Sequence, residues 1–292
     1  MFVIGIDGGG TKTRVEIRND KNQLLQRKIY GAFNINSIGR DAFRKRLNEI
    51  FSENMADCLS ICIGAAGISN PDAGHILQEV LEQSDFRGTV KLCGDHEIAL
   101  RGAMDTPGIG VIAGTGSICF GKNADGVTAR SGGYGHLIDD CGSGYALGRD
   151  GLSACVRMFD GRAERSILQD RILDALGIAA PEELISFVYS ADTKKSHIAV
   201  LAESVLQAAE DGDPMAMHIL HQEADEIVQM VSAVQRKLSL AGCPIALLGG
   251  LFASCNPYYA IVQEKLSRMG EVKAPAHDAL WGAAQMAWEM QK

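Results

Sequence analysis

A glycine-rich turn between two short strands occurs twice in this chain and constrains its fold more than any other feature. The first turn is the run Asp7-Gly-Gly-Gly-Thr11, which joins an apolar strand predicted over residues 2–6 to an alternating strand predicted over residues 13–18. The second turn, over residues 114–117, again lies between two short apolar strands. The two glycine turns begin 106 residues apart (114 − 8). This spacing predicts an internal duplication with one copy in each of two lobes, chance similarity of two hairpins being the alternative.

Length and composition agree with two lobes and exclude several classes of protein. The chain has 292 residues, 46% of them hydrophobic, which suits an ordered protein of about two domains. The formal net charge of −8 disfavours nucleic acid as a partner, because phosphate binding there depends on many Lys and Arg side chains. No apolar run approaches the roughly 20 residues that span a membrane, and no secretory signal follows Met1. We therefore expect a cytoplasmic protein with no membrane partner, and the sequence leaves a homodimer open.

Cysteine and histidine residues give only weak signals for a metal. Eight cysteines occur without any C-x-x-C pair, which favours reduced and mostly buried thiols. His218 and His221 have the i, i+3 spacing of neighbouring helical side chains, but apolar positions of a long helix predicted over residues 213–240 surround them. We interpret the pair as part of a packed helix, with metal ligation as the less favoured alternative.

The rest of the pattern mixes helices and strands before residue 105 and is mainly helical after residue 140. Periodicity predicts helices over residues 41–51, 73–81, 142–159, 164–176, 196–209 and 281–290, and strands over residues 24–30, 59–63, 90–93, 127–130 and 245–248.

The glycine turns have the chemistry of an anion site. Successive backbone N–H groups in such a turn can point at one anion, and glycine lets a phosphate approach closely. The first turn does not fit a Walker A loop, because Thr11 separates Gly10 from Lys12 and a strand follows where a helix should. It does not fit the dinucleotide pattern either, since the last glycine position is Thr13. The residues indicate a phosphate clamp of the strand-turn-strand type, with ligand-free hairpins as the alternative.

Acidic residues lie at three places beside predicted turns or helix starts. Asp7 ends the first strand, where it could hold Mg²⁺ with its water shell or simply form the turn. Asp95 lies where a helix begins, so it could orient a reacting hydroxyl as a weak base or act only as an N-cap. Asp139 and Asp140 precede another helix, where sugar binding and solvated capping are both open.

Several of these segments together resemble one family. They are Asp7-Gly-Gly-Gly-Thr-Lys-Thr13, Ala113-Gly-Thr-Gly-Ser117, Gly132-Gly-Tyr-Gly-His136, Asp140-Cys-Gly-Ser143 and Leu248-Gly-Gly250. In this order, over nearly the whole chain, they resemble the BadF/BadG/BcrA/BcrD ATPase family and, more narrowly, its N-acetylglucosamine kinase branch. The resemblance implies an α/β, two-lobed, actin-like (ribonuclease H-like) fold with duplicated domains and a nucleotide cleft between them. It implies one lobe over residues 1–105 with a closing helix over 277–292, and a second lobe over 106–276.

The resemblance also implies the cofactors and the roles of individual residues. ATP and Mg²⁺ are the implied cofactors, and an amino sugar is the implied substrate. The implied phosphate loops are Gly9, Gly10, Thr11, Lys12 and Thr13, and Gly114, Thr115, Gly116 and Ser117; the implied adenosine loop is Gly249 and Gly250. Asp7 matches the magnesium position and Asp95 the catalytic base, and the implied sugar residues are Asn34, Asp95, Gly133, His136 and Asp140.

The function that this resemblance implies is an ATP-dependent amino-sugar kinase acting on the 6-hydroxyl, with N-acetylglucosamine as the first substrate and glucosamine or N-acetylmuramic acid as alternatives. Tyr134 and Cys141 depart from the commoner Trp and Glu of the family pattern, which leaves the identity of the sugar open. An alternative of another class is an ATPase activator of a 2-hydroxyacyl-CoA dehydratase, which needs cysteine ligands for a shared iron–sulfur cluster. A sugar-sensing repressor is disfavoured, because no helix-turn-helix segment precedes the first strand.

Overall fold

The computed structural model describes residues 1–52, 55–105 and 107–291, which form two compact units. Unit 1 comprises residues 1–106 and 275–292, and unit 2 comprises residues 107–274. The strands are β1 (Phe2–Gly8), β2 (Lys12–Asn19), β3 (Leu24–Gly31), β4 (Cys58–Ala65), β5 (Thr89–Cys93), β6 (Gly108–Ala113), β7 (Ser117–Lys122), β8 (Thr128–Gly132), β9 (Gly242–Leu248) and β10 (Gly270–Lys273). The helices are α1 (Ile35–Ile38), α2 (Arg40–Ile50), α3 (Pro71–Glu82), α4 (Asp95–Ala103), α5 (Gly144–Phe159), α6 (Ile167–Leu176), α7 (Glu183–Val188), α8 (Lys195–Ala199), α9 (Ala202–Glu210), α10 (Pro214–Leu238), α11 (Pro257–Ser267) and α12 (Ala279–Glu289).

The two units contain the same kind of sheet. The strand order in unit 1 is β3-β2-β1-β4-β5, and in unit 2 it is β8-β7-β6-β9-β10. In each sheet the first three strands form an antiparallel meander and the last two run parallel to the first strand of the unit. This shared order confirms the predicted α/β fold with duplicated domains, because the two glycine turns occupy the same hairpin in both sheets.

Unit 1 buries its sheet on both faces. One face packs against α2 and α3, and the other packs against α4 and α12. The alternation in β2 predicts one buried face, yet Glu16 and Arg18 are also buried, at 1% and 4% exposure. Their charges pair at 2.5 Å, and the Arg18 guanidinium lies 5.2 Å from the Trp281 ring of α12. A helix from the far end of the chain therefore covers the charged face of β2.

The core of unit 2 lies between its sheet and a group of helices. Helix α10 starts at the N-cap Asp213, whose carboxylate accepts hydrogen bonds from the amides of Met215 and Ala216, and it buries the apolar stripe that the sequence predicts. The single helix predicted over residues 196–209 is wrong. The chain turns at residues 200–201 and forms two helices, with the buried Leu201 packed into the core and Val200 facing solvent.

Some elements lack a clear signal in the sequence. Periodicity does not indicate α1, α7, α11 or β10, which are short or have irregular apolar spacing. None of the helices in the described part of the chain is long and apolar enough to cross a bilayer.

Candidate functional site

In unit 1 the predicted site residues lie at one edge of the sheet. Strands β1, β4 and β5 run parallel, with Gly8 opposite Ala65 and Gly64 opposite Cys93, so their carboxyl ends meet at the same edge. Asp7 lies in the last two residues of β1 at that edge, the rest of the first glycine turn follows the strand, and Asp95 follows β5. The carboxyl edge of parallel strands is where α/β folds bind ligands.

The first glycine turn presents backbone donors without acceptors. Gly9 donates its N–H to the Lys12 carbonyl at 3.0 Å and closes the turn. Within residues 1–52, 55–105 and 107–291, the N–H groups of Gly10 and Thr11 have no acceptor, and both residues are exposed. Thr13 differs, because its side chain is buried and its hydroxyl donates to the Gly31 carbonyl at 2.6 Å. The Thr13 hydroxyl thus holds β2 to β3.

Asp7 forms an ion pair with Arg14, which lies directly opposite it in the β1–β2 hairpin. Arg14 donates from Nη2 and Nε to Asp7 Oδ2 at 2.6 and 3.1 Å, and from Nη1 to Asp278 Oδ2 at 2.6 Å. Burial lowers the pKa of Arg14, but the hydrogen bonds and charges of the two carboxylates raise it above its ordinary value. Both contacts to Asp7 fall on Oδ2, which leaves Oδ1 for another partner.

Asp95 is the first residue of α4, and Gly94 holds the N-cap position. The Asp95 side chain is 54% exposed. Its Oδ1 accepts a hydrogen bond from the His96 amide at 2.9 Å, and the His96 ring nitrogen Nδ1 lies 3.5 Å away. The positive end of the helix stabilises the carboxylate. Asp95 is therefore an accessible hydrogen-bond acceptor at the edge of the sheet.

Asn34 caps the short helix α1 in unit 1. Its Oδ1 accepts from the Asn36 amide at 3.1 Å. Oδ1 also lies 2.3 Å from where a β-carbon of Gly67 would stand, so only glycine fits beside it. Gly67 follows β4, which places Asn34 against a segment at the same carboxyl edge of the sheet.

The second glycine turn, in unit 2, is held from behind by α5. The carbonyls of Gly114 and Thr115 accept hydrogen bonds from the first two amides of α5, Gly144 and Tyr145, at 2.7 and 3.4 Å. Gly114 donates to the Gly116 carbonyl at 2.9 Å. In the part of the chain that the structure describes, the amides of Thr115 and Gly116 meet no acceptor. The turn therefore resembles the first one in presenting two successive unpaired donors.

Asp140 contacts this second turn. The residue is 3% exposed, and its Oδ1 faces the Ser117 amide at 3.4 Å. Its Oδ2 accepts from the Lys195 ammonium of α8 at 2.5 Å. Ser117 is also buried, and its hydroxyl donates to the Cys141 carbonyl at 2.6 Å. Among the predicted phosphate and sugar residues of unit 2, the structure thus brings Asp140, Gly116 and Ser117 together.

Gly249 and Gly250 adjoin the same turn. Strands β6 and β9 are parallel neighbours with Ile112 opposite Leu248, so both loops leave the sheet at one edge. Gly249 has φ +98°, and a β-carbon there would lie 2.3 Å from the Ala113 carbonyl oxygen. Glycine is therefore required at this position by both conformation and space.

Gly133 and His136 lie in the loop between β8 and α5. Gly133 has φ +78°, and the His136 ring makes an edge contact with Tyr145 at 4.9 Å between centroids. The Tyr134 amide donates to Asp139 Oδ2 at 3.2 Å, which closes the loop on itself. Leu137 and Ile138, at the tip, are more than four-fifths exposed.

A buried glutamate contacts the segment that follows Asp140. Glu223 of α10 accepts from the Gly142 amide at 2.5 Å and from Arg149 Nη2 at 3.3 Å. Burial first, and then a hydrogen bond with Asp150, raise the pKa of Glu223 to about 7, against the lowering effect of the Gly142 amide. Burial likewise raises the pKa of Tyr258, whose hydroxyl donates to the Gly142 carbonyl at 3.0 Å.

Replacing Glu223 by Gln is expected to remove part of the pH dependence of stability. Because the folded pKa of about 7 exceeds the ordinary value of 4.5, the native state binds the extra proton, and stability falls as pH rises from about 4.5 to about 7. The loss amounts to about 3 kcal/mol. Glutamine keeps an acceptor for Gly142 and a donor for Asp150, so Glu223→Gln should be more stable than the wild type at pH 8 and similar at pH 5.

Urea unfolding at the two pH values measures this difference. Glu226→Gln on the same helix is the matched control, since within the described residues its carboxylate accepts a hydrogen bond only from the exposed Gln229 side-chain amide. A Glu223→Gln variant that loses more stability at pH 8 than at pH 5 would contradict the prediction.

Sequence reasoning missed Arg14, Lys195 and Glu223. Arg14 could have been found, because a turn centred on residues 10–11 places positions 7 and 14 opposite each other. Lys195 lies 79 residues after Gly116 (195 − 116) and Glu223 lies 81 residues after Gly142, and no local pattern connects either pair.

Known proteins that are similar to this chain indicate its family. The sequence model of the BadF/BadG/BcrA/BcrD ATPase family matches residues 4–287. An N-acetylmuramic acid/N-acetylglucosamine kinase of Clostridium acetobutylicum is 37% identical over 268 residues, covering 88% of both chains. An N-acetyl-D-glucosamine kinase of Dictyostelium discoideum is 28% identical and covers 99% of this chain and 98% of its own. A crystal structure from Chromobacterium violaceum, provisionally named an N-acetylglucosamine kinase, shares the fold with a TM-score of 0.77 at 24% identity, over 98% of each chain.

Proposed function

The chain belongs to the BadF/BadG/BcrA/BcrD ATPase family, and on that premise we propose that it is an ATP-dependent kinase that phosphorylates the 6-hydroxyl of an amino sugar. N-acetylglucosamine is the first candidate, because both relatives at 28% and 37% identity carry that sugar in their names. N-acetylmuramic acid and glucosamine are the alternatives within the same class.

One observation carries the proposal. Two hairpins in equivalent positions of two like sheets each present two successive amides that meet no acceptor within the described residues. Backbone amides of this kind stabilise phosphate oxygens and the charge that develops during phosphoryl transfer. We assign Gly9 to Lys12 and Gly114 to Gly116 to the phosphates, and Gly249 with Gly250 to the adenosine. For the buried Thr13 and Ser117 we assign support of the turns.

Asp7 fits a magnesium ion that is held mostly by phosphate and water. Among the described residues no group of three or more His, Cys, Asp or Glu could enclose a metal. Mg²⁺ in phosphoryl-transfer sites usually needs only one or two carboxylates and keeps several waters. Asp7 offers Oδ1, while Arg14 holds Oδ2. When bound, the ion would neutralise charge on the transferring phosphoryl group.

Asp95 is the group that we assign to the attacking hydroxyl. Phosphoryl transfer needs orientation of the nucleophile more than a strong base, because its transition state is loose. An exposed carboxylate at the start of α4 can accept the proton of the 6-hydroxyl and direct its oxygen. We assign Asn34, Gly133, His136 and Asp140 to the sugar side.

Sugar-stimulated release of ADP tests the proposed function. The full-length chain is assayed with ATP and Mg²⁺ against N-acetylglucosamine, N-acetylmuramic acid, glucosamine and glucose, and the product is mapped by NMR. We expect turnover with one of the amino sugars and phosphate on its 6-oxygen. No stimulation by any sugar would reject the kinase.

If the chain is instead an ATPase activator of a dehydratase, the same preparation should contain an iron–sulfur cluster. A cluster shared by two subunits needs thiolates at a surface. Cys119 is fully buried in the core of unit 2, and burial raises the pKa of its thiol, so it is a poor ligand. Iron bound in stoichiometric amounts, with no sugar kinase activity, would favour the activator.

A further inference from the structure

A lysine from a distant helix stands against the second glycine turn. The Lys195 Nζ lies only 2.6 Å from where a β-carbon of Gly116 would be, and the two Asp140 carboxylate oxygens lie 3.0 and 3.1 Å from the same point. Any side chain at position 116 would therefore displace an ion pair. Glycine at position 116 thus allows the ammonium to approach the turn this closely.

The ion pair is asymmetric in its exposure. The Asp140 side chain is 4% exposed, whereas the Lys195 side chain is 28% exposed. The buried carboxylate uses both oxygens inside the protein, on the Ser117 amide and on the ammonium. An ammonium has three donor hydrogens, and Asp140 is its one hydrogen-bond partner in the described chain. The lysine can therefore donate to a second anion, while the aspartate holds it in place.

The hydrogen-bonding groups of the turn indicate the charge of that second ligand. Its carbonyls at Gly114, Thr115 and Gly116 all accept hydrogen bonds from protein amides. Its remaining backbone groups are the amides of Thr115 and Gly116, which are donors with no acceptor among the described residues. Two amides beside an ammonium form a site for an anion, and without Lys195 the buried Asp140 would repel one.

We propose that Lys195 binds the polyphosphate of the nucleotide at the second turn, with Asp140 as the residue that positions it. This inference rests on the proposed function for the identity of the nucleotide.

Calorimetric binding of AMP, ADP and ATP to the full-length chain tests the proposal. Loss of a charge-assisted hydrogen bond should weaken ATP binding by about 10- to 100-fold in Lys195→Met. AMP binding should change by less than about twofold, because AMP lacks the outer phosphates, and Lys195→Arg should recover much of the ATP affinity. Lys194→Met is the matched control, since Lys194 is exposed and adjacent in sequence, and it should bind all three nucleotides like the wild type.

A double variant separates weaker ATP binding from loss of stability. Lys195→Met leaves Asp140 buried without its cation, which could unfold unit 2. Lys195→Met with Asp140→Asn removes both charges, so it should melt near the wild type and still bind ATP weakly. ATP affinity within twofold of wild type in the folded double variant, or in Lys195→Met itself, would overturn the proposal.

The outcomes also separate this inference from the kinase itself. A wild-type chain that phosphorylates a sugar, with Lys195→Met binding ATP normally, rejects only the lysine. A wild-type chain that binds ATP in a Lys195-dependent way and phosphorylates no sugar rejects only the kinase. A wild-type chain that does not bind ATP rejects both.

Discussion

Replacing Asp95 by Asn is expected to reduce turnover by about 10²- to 10⁴-fold, the range that a positioned proton acceptor contributes. Asparagine keeps an oxygen that can accept from the His96 amide, as Asp95 Oδ1 does at 2.9 Å, so the start of α4 should be preserved. It lacks the negative charge that accepts the hydroxyl proton. ATP affinity should stay within about twofold, because the loss concerns the nucleophile and not the nucleotide.

Steady-state ADP release and nucleotide titration separate these two effects. Glu97→Gln is the matched control, because Glu97 lies in the same first turn of α4 and pairs with Lys91 at 3.2 Å. Its turnover should remain near that of the wild type. An Asp95→Asn variant that retains a tenth or more of wild-type turnover would remove Asp95 from the chemistry.

Replacing Gly282 by Ala should destabilise unit 1 by about 3 kcal/mol, at the upper end of the usual cost of overpacking. A β-carbon at this position in α12 would lie 2.0 Å from the Ile98 carbonyl oxygen and 2.6 Å from the Gly102 nitrogen. Both are backbone atoms of α4, so no flexible side chain can move aside. Helices α4 and α12 would have to separate, and with them the end of the chain from the sheet.

The same substitution at Gly74 should have the opposite effect on stability. It also lies inside a helix, α3, but a β-carbon there would meet nothing within 4 Å. Gly74→Ala should therefore stabilise the protein by about 0.5–1 kcal/mol through a lower entropy of the unfolded chain. Denaturant unfolding of the two variants should differ in sign. Equal effects of both substitutions would contradict the close approach of α4 and α12.

The glycine turns illustrate what local sequence can predict about a site. Their residue types, flanking strands and 106-residue spacing all lie within short segments, and strand order in both sheets agrees with them. The match to residues 4–287 confirms the family that these segments together resemble. The roles of individual residues stay predictions, because they depend on which atoms remain available after folding. Thr13 and Asp140 show this, since both are buried and bonded within the protein.

By itself, the sequence determined the α/β class, the duplication, most long helices and strands, and the positions of both turns, because hydrophobic period and turn chemistry act over a few neighbouring residues. Tertiary structure alone decided which charged groups are buried and paired. Trp281 covers Arg18, Lys195 reaches Gly116, and Glu223 contacts Gly142. The two residues of each pair lie 79 or more positions apart in the chain. Such contacts depend on where distant elements pack, and the electrostatic energy of a group depends on that packing more than on its neighbours along the chain.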